Sequence, residues 1–263
     1  MAFLNFIKSL VSENGGEKEY REKLTAVLSD SELTKEEENE LETIAQKHGL
    51  TTEDVSRLQK AGLSGVFQNI SSDQRITEDE RKSLEVLLNH FKLQTSDIKF
   101  DQKAFNKYYS LALIDKGILP EVSRENHNIN VLFKKGEVLH FGTAAELRKL
   151  RRTTTRINYG GLTGSIKIAK GIRYRVGSLG VSSKSDEILA TEDTGTFYIT
   201  DQRVGYMGAR KQFSIPFNKI LSFELRPGAM YIFKDGKETP YILTLADYEV
   251  PSAMISFILN KDE

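Results

Sequence analysis

Hydrophobic and polar residues alternate through the stretch 195–225, which reads GTFYITDQRVGYMGARKQFSIPFNKILSFEL. Alternation with a period of two is typical of strands that bury one face. Asp201 with Gln202, and later Gly208, interrupt the alternation and predict tight turns. The pattern therefore predicts three or four consecutive antiparallel strands, a β-meander.

Strand-like alternation also occurs on both sides of this stretch. The predicted strands lie at residues 137–141, 153–159, 165–169, 171–176, 228–233 and 241–244. Residues 143–150 are predicted as a short helix or turn, and the polar residues 182–194 as a connection. Asp235 with Gly236 is a strong hairpin signal between the last two strands. A final helix is predicted from apolar residues at helical spacing, which are Pro251, Ala253, Met254, Phe257 and Ile258.

The front half of the chain has helical periodicity and an internal duplication. Residues 28–37 align with residues 71–80 at an offset of 43, and both share the pattern Ser-Asp-x-x-aliphatic-Thr-x-acid-Glu. The apolar positions downstream of this pattern also match at the same offset. Each repeat is therefore predicted to form a helical hairpin.

The duplicated pattern contains a helix start. In a capping box, a Thr side chain and an acidic side chain three residues later each bond to the other's backbone N–H. Residues 101–118 continue the helical pattern up to Pro120, and the polar run 121–130 predicts a linker. The pairs with capping-box spacing are Thr34 with Glu37, Thr51 with Asp54, and Thr77 with Glu80.

The same criterion predicts a short amphipathic helix for the first segment, residues 2–12. Its apolar face carries Phe3, Phe6, Ile7 and Leu10. One interpretation is an anchor for a membrane surface or a partner protein. The other is that the segment packs on its own domain.

Length and charge indicate two domains of opposite sign. The chain has 263 residues, of which 39% are hydrophobic, and ordinary domain sizes favour two domains. We expect a helical domain at residues 1–120, a linker at 121–130 and a strand-rich domain at 131–263. Residues 1–121 carry 16 Lys+Arg against 22 Asp+Glu, and the rest carry 21 against 15. The second domain is better suited to an anionic partner.

Several classes of protein are disfavoured by what the sequence lacks. It contains no cysteine, which excludes disulfides and thiolate chemistry and favours the cytoplasm. It contains no run of about 18 apolar residues, the length that a spanning helix needs. The four histidines, His48, His90, His127 and His140, are scattered, and no nucleophile, zinc or P-loop motif occurs. We therefore expect a protein that is not an enzyme.

The acidic turns of the two repeats invite comparison with a calcium loop. Such a loop needs glycine at its sixth position, where Lys35 and Glu78 stand. Helix capping explains the acids without an ion, so neither a metal nor another cofactor is expected. The weak candidates for metal ligands are Asp30, Glu37, Asp73 and Glu80.

A one-sided basic stretch is the most suggestive chemical feature. Residues 148–185 contain ten basic side chains and no acidic one. Such a cluster attracts phosphate groups, although docking within the chain or between subunits, or solubility alone, are alternative roles. Nucleic acid is disfavoured because only Tyr159 and Tyr174 offer stacking here. The predicted anion- or lipid-binding residues are Arg148, Lys149, Arg151, Arg152, Arg156, Lys167, Lys170, Arg173 and Arg175.

The pattern Ser-Asp-x-x-[Leu/Ile]-Thr-x-x-Glu and its duplication resemble the TerB-like domains of tellurite-resistance and stress proteins. The resemblance covers residues 18–100. It implies a helical bundle with an acidic surface that binds a metal or partner proteins. The family has Gly after the turn Asp, where this chain has Ser31 and Gln74, and this difference weakens the inference of a metal.

The segment from Phe197 to Gly208, with Phe213-Ser-Ile-Pro216 and Lys219-Ile220, resembles the signature of bacterial PH-like and GRAM-like domains. The resemblance covers residues 135–260. It implies a bent antiparallel barrel, closed at one end by the last helix, that binds proteins or membrane lipids.

The sequence thus predicts an α+β protein in which an all-α, TerB-like bundle precedes a PH-like antiparallel β-barrel capped by a C-terminal helix. The predicted function is a bacterial, non-enzymatic adaptor that binds a protein partner or anionic lipid head groups. Self-association is a further expectation, and the helical domain would dock partners. The predicted location is the cytoplasm, with peripheral binding to the inner face of the membrane. The alternative is a stress-response protein whose acidic helical domain binds a metal ion.

Overall fold

The computed structural model describes residues 15–30, 33–127, 129–153, 164–169, 172–176 and 186–260. For residues 30, 152–153, 164–169, 172–176 and 186–187 it describes the backbone alone. The chain divides into two compact units, residues 1–115 and 116–263. We call them the helical unit and the sheet unit.

In the residues that the structure describes, the helical unit has five α-helices around one apolar core. Leu24, Leu63, Ile76 and Leu87 are among its fully buried side chains, and they come from three of the helices and the loop before α4. The helices are α1 (Gly15–Asp30), α2 (Lys35–His48), α3 (Thr52–Ile70), α4 (Glu78–His90) and α5 (Gln102–Asp115).

The three predicted capping boxes are confirmed. At the start of α4, Thr77 N donates to Glu80 Oε2 at 2.8 Å, and Glu80 N donates to Thr77 Oγ1 at 3.3 Å. The same reciprocal bonds join Thr34 to Glu37, and Thr51 to Asp54. These bonds satisfy backbone donors that a helix start leaves without partners. They fix where α2, α3 and α4 begin.

The sequence duplication is also a duplication of structure. After α2 and after α4, one residue adopts the left-handed conformation, Gly49 with φ 64° and Lys92 with φ 54°. The two repeats then diverge, because the first continues into α3 and the second into the short 3-10 helix Thr95–Asp97. The residue after each left-handed position donates to a carbonyl five residues earlier, Leu50 to Ala45 and Leu93 to Leu88, both at 2.9 Å.

The described residues of the sheet unit form one sheet of nine strands with the order β2-β3-β7-β8-β9-β1-β4-β5-β6. All neighbours are antiparallel except β3 and β7, which are parallel. The strands are β1 (Leu139–Thr153), β2 (Gly164–Ala169), β3 (Ile172–Val176), β4 (Asp186–Thr200), β5 (Arg203–Gly208), β6 (Gln212–Pro216), β7 (Ile220–Arg226), β8 (Ala229–Lys234) and β9 (Tyr241–Leu245).

The predicted barrel is wrong, because the sheet is open. Among the described strands, β2 and β6 lie at the two edges and do not pair with each other. The predicted meander is correct for β4, β5 and β6. The chain then leaves β6 through a 3-10 turn, Phe217–Lys219, and β7 pairs with β8 and β3 on the far side of the sheet.

The open sheet is nevertheless strongly curved. In the strand order, β6 and β9 are separated by β5, β4 and β1. In a flat sheet with strands about 4.8 Å apart, β6 and β9 would be about 19 Å apart. The ring centroids of Phe213 on β6 and Tyr241 on β9 are only 4.0 Å apart. These two rings therefore meet across the concave face.

Two local predictions fail for the same reason. Residues 143–150 are not a helix or turn but the middle of β1, and much of 182–194 belongs to β4 rather than to a connection. β1 pairs with β4 on one side and β9 on the other. Backbone hydrogen bonds on both edges of a strand outweigh weak local propensities. Ala145 and Leu147 are buried on the concave face as a result.

The predicted linker is part of the sheet unit. Val122 N donates to the carbonyl of Leu139 at 3.0 Å, and the carbonyl of Pro120 lies 2.9 Å from His140 Nδ1. Ile129 is buried in a cluster with Leu139 and Tyr198. A segment with buried apolar side chains and hydrogen bonds to a strand is not a free connection. The described residues of this run, 121–127 and 129–130, instead pack against β1 and β4 through Val122 and Ile129.

The predicted last helix is confirmed as α6 (Glu249–Asn260), which buries Val250, Met254 and Ile255. It lies beside β2. In the part of the chain that the structure describes, no helix is both long and apolar enough to cross a bilayer.

The capping boxes lead to a prediction for the helical unit. Thr77→Ala removes the side chain that caps α4 and should lower its stability by about 1 kcal/mol. Hydrogen–deuterium exchange of the first turns of α4 should accelerate by about fivefold. Thr43→Ala is the control, since Thr43 is exposed in the middle of α2 and its change should leave exchange in α4 as it is. Equal exchange in the two variants would contradict the capping role.

Candidate functional site

The Thr200–Arg203 turn lies at the centre of the sequence signature. Thr200 is fully buried. Its Oγ1 accepts hydrogen bonds from Gln202 N at 3.1 Å and Arg203 N at 3.0 Å. The same hydroxyl donates to Glu137 Oε1 at 2.9 Å. The hydroxyl thus holds the turn closed and joins it to a buried carboxylate.

Glu137 and Arg203 form a buried, two-pronged ion pair. Arg203 Nε donates to Glu137 Oε1 at 2.6 Å, and Arg203 Nη2 donates to Oε2 at 3.0 Å. The Glu137 side chain is 0% exposed and that of Arg203 is 14% exposed. Lys134 N also donates to Glu137 Oε2, at 2.8 Å. Every oxygen of this carboxylate therefore has at least two donors.

The remaining donors of Arg203 are also used inside the protein. Nη1 donates to Ser214 Oγ at 3.1 Å, and Nη2 donates to the carbonyl of Leu132 at 2.8 Å. The ring of Phe133 lies 3.7 Å from the guanidinium of Arg124 and 5.8 Å from that of Arg203. The arginine of the signature therefore joins β5, β6 and the segment before β1, and this is a structural role.

The electrostatics of Glu137 match this geometry. Burial acts to raise the pKa of its carboxyl group, but the hydrogen bonds from Arg203, Lys134 N and Thr200 outweigh it and hold the pKa below 4.5. Asp193 is a second buried acid, with the backbone N–H groups of Arg210 and Lys211 donating to its Oδ2 at 3.1 and 2.8 Å. Burial acts to raise the pKa of the Asp193 carboxyl group, but the hydrogen bonds from these backbone N–H groups outweigh it and lower the pKa.

The predicted basic residues do not form one group in the strand order. Lys149 and Arg151 are exposed on β1, while Arg148 is partly buried and pairs with Glu146. The β2–β3 hairpin, which carries the later ones, is separated from β1 by β7, β8 and β9. Only the backbone is described for Arg152, Lys167, Arg173 and Arg175, and Arg156 and Lys170 lie outside the described residues.

Two further lysines join the β1 residues, and the sequence analysis missed them. Lys234 and Lys237 belong to the end of β8 and the turn that follows it. Lys237 Nζ lies 4.1 Å from the ring centroid of Tyr241 and donates to the carbonyl of Thr239 at 2.6 Å. Because Arg148 pairs with Ile242, the next step along the strands places Lys149 beside Tyr241. We call Lys149, Lys234 and Lys237 the lysine cluster.

The pKa of Lys237 is lowered, chiefly because burial disfavours its charged form. Shielding of its ammonium group by the surrounding atoms lowers its pKa, and the charges of Lys234 and Lys149 lower it further, while Glu192 acts in the opposite direction. The Glu192 carboxylate also lies 3.8 Å from Lys211 Nζ. It therefore interacts with both Lys211 and Lys237. The lysine cluster is therefore a place where positive charge is in excess.

Exposed apolar side chains lie next to these cations. Ile188 is 49% exposed and Leu150 is 37% exposed. Ile188 pairs with Arg151 across β4 and β1. The rim of the sheet at the ends of β1 and β4 therefore combines Lys149 and Arg151 with apolar groups that face water.

The candidate metal ligands serve as helix caps and turn acceptors where their side chains are described. Glu37 and Glu80 bind the backbone of Thr34 and Thr77. Asp73 Oδ1 accepts from Arg75 N at 2.9 Å, and the side chain of Asp30 lies outside the described residues. Among the residues that the structure describes, no group of three or more His, Asp or Glu side chains is placed to hold a metal ion.

In the sequence the four histidines are scattered, and the first segment is a candidate anchor. Three of the histidines have separate partners, since His48 contacts Glu19, His90 contacts Glu38 and His140 contacts the carbonyl of Pro120. The proposed anchor residues Phe3, Phe6, Ile7 and Leu10 lie outside the described residues.

The buried pair predicts a large effect for one substitution. Arg203→Met leaves the Glu137 carboxylate buried without its main partner and should lower the free energy of unfolding of the sheet unit by about 3 kcal/mol. Urea denaturation followed by near-ultraviolet circular dichroism of the tyrosines measures it. Arg210→Met is the control, because the Arg210 side chain is 78% exposed and should cost less than about 0.5 kcal/mol. Similar losses in the two variants would refute the role of the pair.

A second prediction concerns acid. The Glu137 pKa is lower in the folded protein than its usual value of 4.5, so its ionised form stabilises the fold above pH 4.5. That stabilisation is lost as the pH falls through the folded pKa. The sheet unit should therefore become less stable below pH 4.5, and Glu137→Gln should show a shallower decline. The same slope in Glu137→Gln would assign the acid sensitivity to other carboxylates, such as Asp193.

No family model matches this chain, and no curated protein matches it. The function is therefore inferred from the geometry of its own residues.

Proposed function

We propose that the protein is a non-enzymatic binding protein whose sheet unit binds an anionic membrane surface. The observation that carries this proposal is the lysine cluster, in which strand pairing places Lys149 of β1 near Lys234 and Lys237 at the end of β8 and in the turn after it. Like charges held this close repel one another. An anionic lipid head group relieves that repulsion, because it attracts all three ammonium groups at once.

The surroundings of the cluster favour a membrane over a small soluble anion. Lys149 and Arg151 are exposed on β1, and the exposed apolar side chain of Ile188 lies opposite Arg151. Cations next to exposed apolar groups suit the interface of a bilayer, where both can be satisfied. Each Lys or Arg near an anionic surface contributes about 1 kcal/mol. Three or four such residues give useful but reversible affinity.

The likeness of the signature to PH-like domains supports the same proposal, since domains of that kind bind proteins or membrane lipids. The Arg203 guanidinium donates its hydrogen bonds to Glu137 and to the carbonyl of Leu132. The arginine of the signature is therefore occupied within the protein, and we assign binding to the lysine cluster instead. On this proposal the protein works at the inner face of the cytoplasmic membrane, where anionic lipids concentrate. The helical unit is then free to contact other molecules.

Flotation with lipid vesicles tests the proposal. Lys149→Gln with Lys237→Gln should reduce partitioning onto phosphatidylserine-containing vesicles about 30-fold, at about 1 kcal/mol for each charge. The double variant Lys116→Gln with Lys135→Gln removes the same charge from exposed positions of the same unit and should reduce it much less.

Salt and lipid composition provide the decisive comparison. Binding of the wild type should disappear at high ionic strength and on phosphatidylcholine vesicles, because screening weakens exposed charge pairs. Equal binding of wild type and Lys149→Gln/Lys237→Gln, or equal binding to neutral vesicles, would refute the proposal. Binding to inorganic phosphate without binding to vesicles would assign the cluster to a soluble anion.

A further inference from the structure

The described residues of the helical unit form two grooves at equivalent places in the two repeats. The first groove, of about 500 Å³, lies between α2, the start of α3 and the end of α4. The second groove, of about 320 Å³, lies between α4 and the start of α5. Their apolar floors correspond at the offset of 43 residues that relates the repeats. The corresponding pairs are Leu41 with Leu84, Ala45 with Leu88, and Leu50 with Leu93.

The two grooves differ in the aromatic side chains that reach their floors from the following helix. Phe100 and Phe105 line the second groove, with their ring centroids 5.2 Å apart. At the same offset the first repeat has Arg57 and Gly62, and neither of these lines the first groove. The second groove therefore receives two rings from its own chain. The first groove, which is larger, has no counterpart of them at these two positions.

The floor of the first groove is apolar and open to water. Leu41 is buried at its base, whereas Ala45, Leu50 and Phe91 are only half-buried. An apolar strip between helices is a surface that an amphipathic helix can cover. The α2 side of the groove runs from residue 38 to residue 46, which is about 12 Å at about 1.5 Å per residue. It therefore accommodates about two turns of a bound helix.

The α2 side of the first groove is acidic. Glu38 and Glu42 line it and are exposed, and α2 carries five glutamates against two lysines. Lys92, after the end of α4, lines another side of the groove, and His90 Nε2 lies 3.7 Å from Glu38 Oε1. Residues 1–121 as a whole carry 22 Asp+Glu against 16 Lys+Arg. The charge of the unit therefore favours a cationic partner whose cations lie on the α2 side.

The second groove has a different charge distribution. The counterpart of Glu38 is Arg81, which pairs with Glu85 at 3.0 Å. Glu85 is the counterpart of Glu42, so its charge is balanced within the chain. Glu42 instead accepts a hydrogen bond from the neutral amide of Gln46 at 3.2 Å. The two repeats therefore share an apolar floor and differ in the charge beside it.

We propose that the first groove binds a cationic amphipathic helix of a partner protein. The apolar face of that helix covers Leu41, Ala45 and Leu50, and its Lys or Arg side chains lie beside Glu38 and Glu42. The partner thus supplies apolar side chains of the kind that the second groove takes from its own chain. The proposal does not depend on the lysine cluster of the sheet unit, so binding of vesicles and binding of a helix can fail separately.

Two synthetic peptides of about 14 residues, or about four turns of helix, serve as probes. Each has leucines on one face and glutamines on the opposite face. The positions that flank the leucines are lysine in one peptide and glutamate in the other. Fluorescence anisotropy with the full chain at low ionic strength should show saturable binding of the lysine peptide, with one site for each protein molecule. The glutamate peptide should not bind.

Hydrogen–deuterium exchange locates the site. The lysine peptide should slow exchange at Ala45 and Leu50, because a helix that covers the floor opposes local opening of the helices beneath it. Leu88 and Leu93 are the matched internal control, since they are the counterparts in the second groove. Their exchange should stay as it is.

A pair of arginine substitutions on α2 tests the floor. Ala45→Arg places a long charged side chain in the first groove. It should weaken binding of the lysine peptide on the order of tenfold or more, because an apolar face cannot cover an unpaired charge without a desolvation cost. Thr43→Arg is the matched control, since it adds the same side chain at an exposed position of α2 that does not line the groove. It should weaken binding less than about twofold.

A second pair of variants tests the charge and leaves the apolar floor intact. Glu38→Gln with Glu42→Gln should weaken binding of the lysine peptide about fivefold at low ionic strength, because two exposed ion pairs are lost. Glu22→Gln with Glu36→Gln removes the same charge from exposed positions outside the groove and should change binding less than about twofold. Circular dichroism confirms that all four variants keep their helices. If Ala45→Arg does not, the glutamine variants decide.

Several results would overturn the proposal. One is equal affinity of the lysine peptide for the two glutamine variants. Another is equal binding of the lysine and glutamate peptides, and a third is protection of Leu88 and Leu93 to the same extent as Ala45 and Leu50. A dimer in sedimentation velocity that Ala45→Arg dissociates would also overturn it, because a second copy of the chain would then occupy the groove.

Discussion

The fold of the sheet unit depends on a carboxylate that is out of contact with water. Transferring a charged Glu137 and Arg203 into the interior carries a desolvation cost, and ion pairs of this kind do not by themselves stabilise a fold. Here the cost is offset because both carboxylate oxygens accept at least two hydrogen bonds and each nitrogen of the guanidinium donates. The network joins the segment before β1 to the β4–β5 turn and to β6. It therefore fixes the meander relative to the centre of the sheet.

The curvature of the sheet determines which residues meet at its surface. Phe213 and Tyr241 contact each other from strands that are four places apart in the order. Lys237 lies over the ring of Tyr241, and Lys149 follows the last β1 residue that pairs with β9. Lys149 and Lys237 are far apart in the sequence, and the pairing of β9 with β1 and with β8 brings them together. The proximity of these lysines is thus a product of strand pairing and not of the local sequence.

Local chemistry was readable from the sequence, and long-range pairing was not. Thr34, Thr51 and Thr77 each start a helix as predicted, because a capping box needs only residues within one turn. The meander and the Asp235 hairpin are also local. Residues 143–150 were misassigned because their strand state comes from partners on β4 and β9. The closed barrel was inferred from a resemblance, and nothing in the local pattern shows that β7 crosses to the opposite side of the sheet. The lysine cluster escaped detection because it depends on the same non-local register.

The parallel pairing of β3 with β7 has a consequence for how the sheet unit is assembled. Its first contact joins Ile172 to Phe223, which closes a loop of about 50 residues and carries a corresponding entropy penalty. The antiparallel contacts of β4, β5 and β6 close loops of only a few residues and form at a much smaller penalty. During folding, the hairpin that carries Lys167 and Arg173 therefore joins the sheet edge after the meander is in place. The hairpin that joins after the meander belongs to the basic stretch 148–185, which carries no acidic side chain.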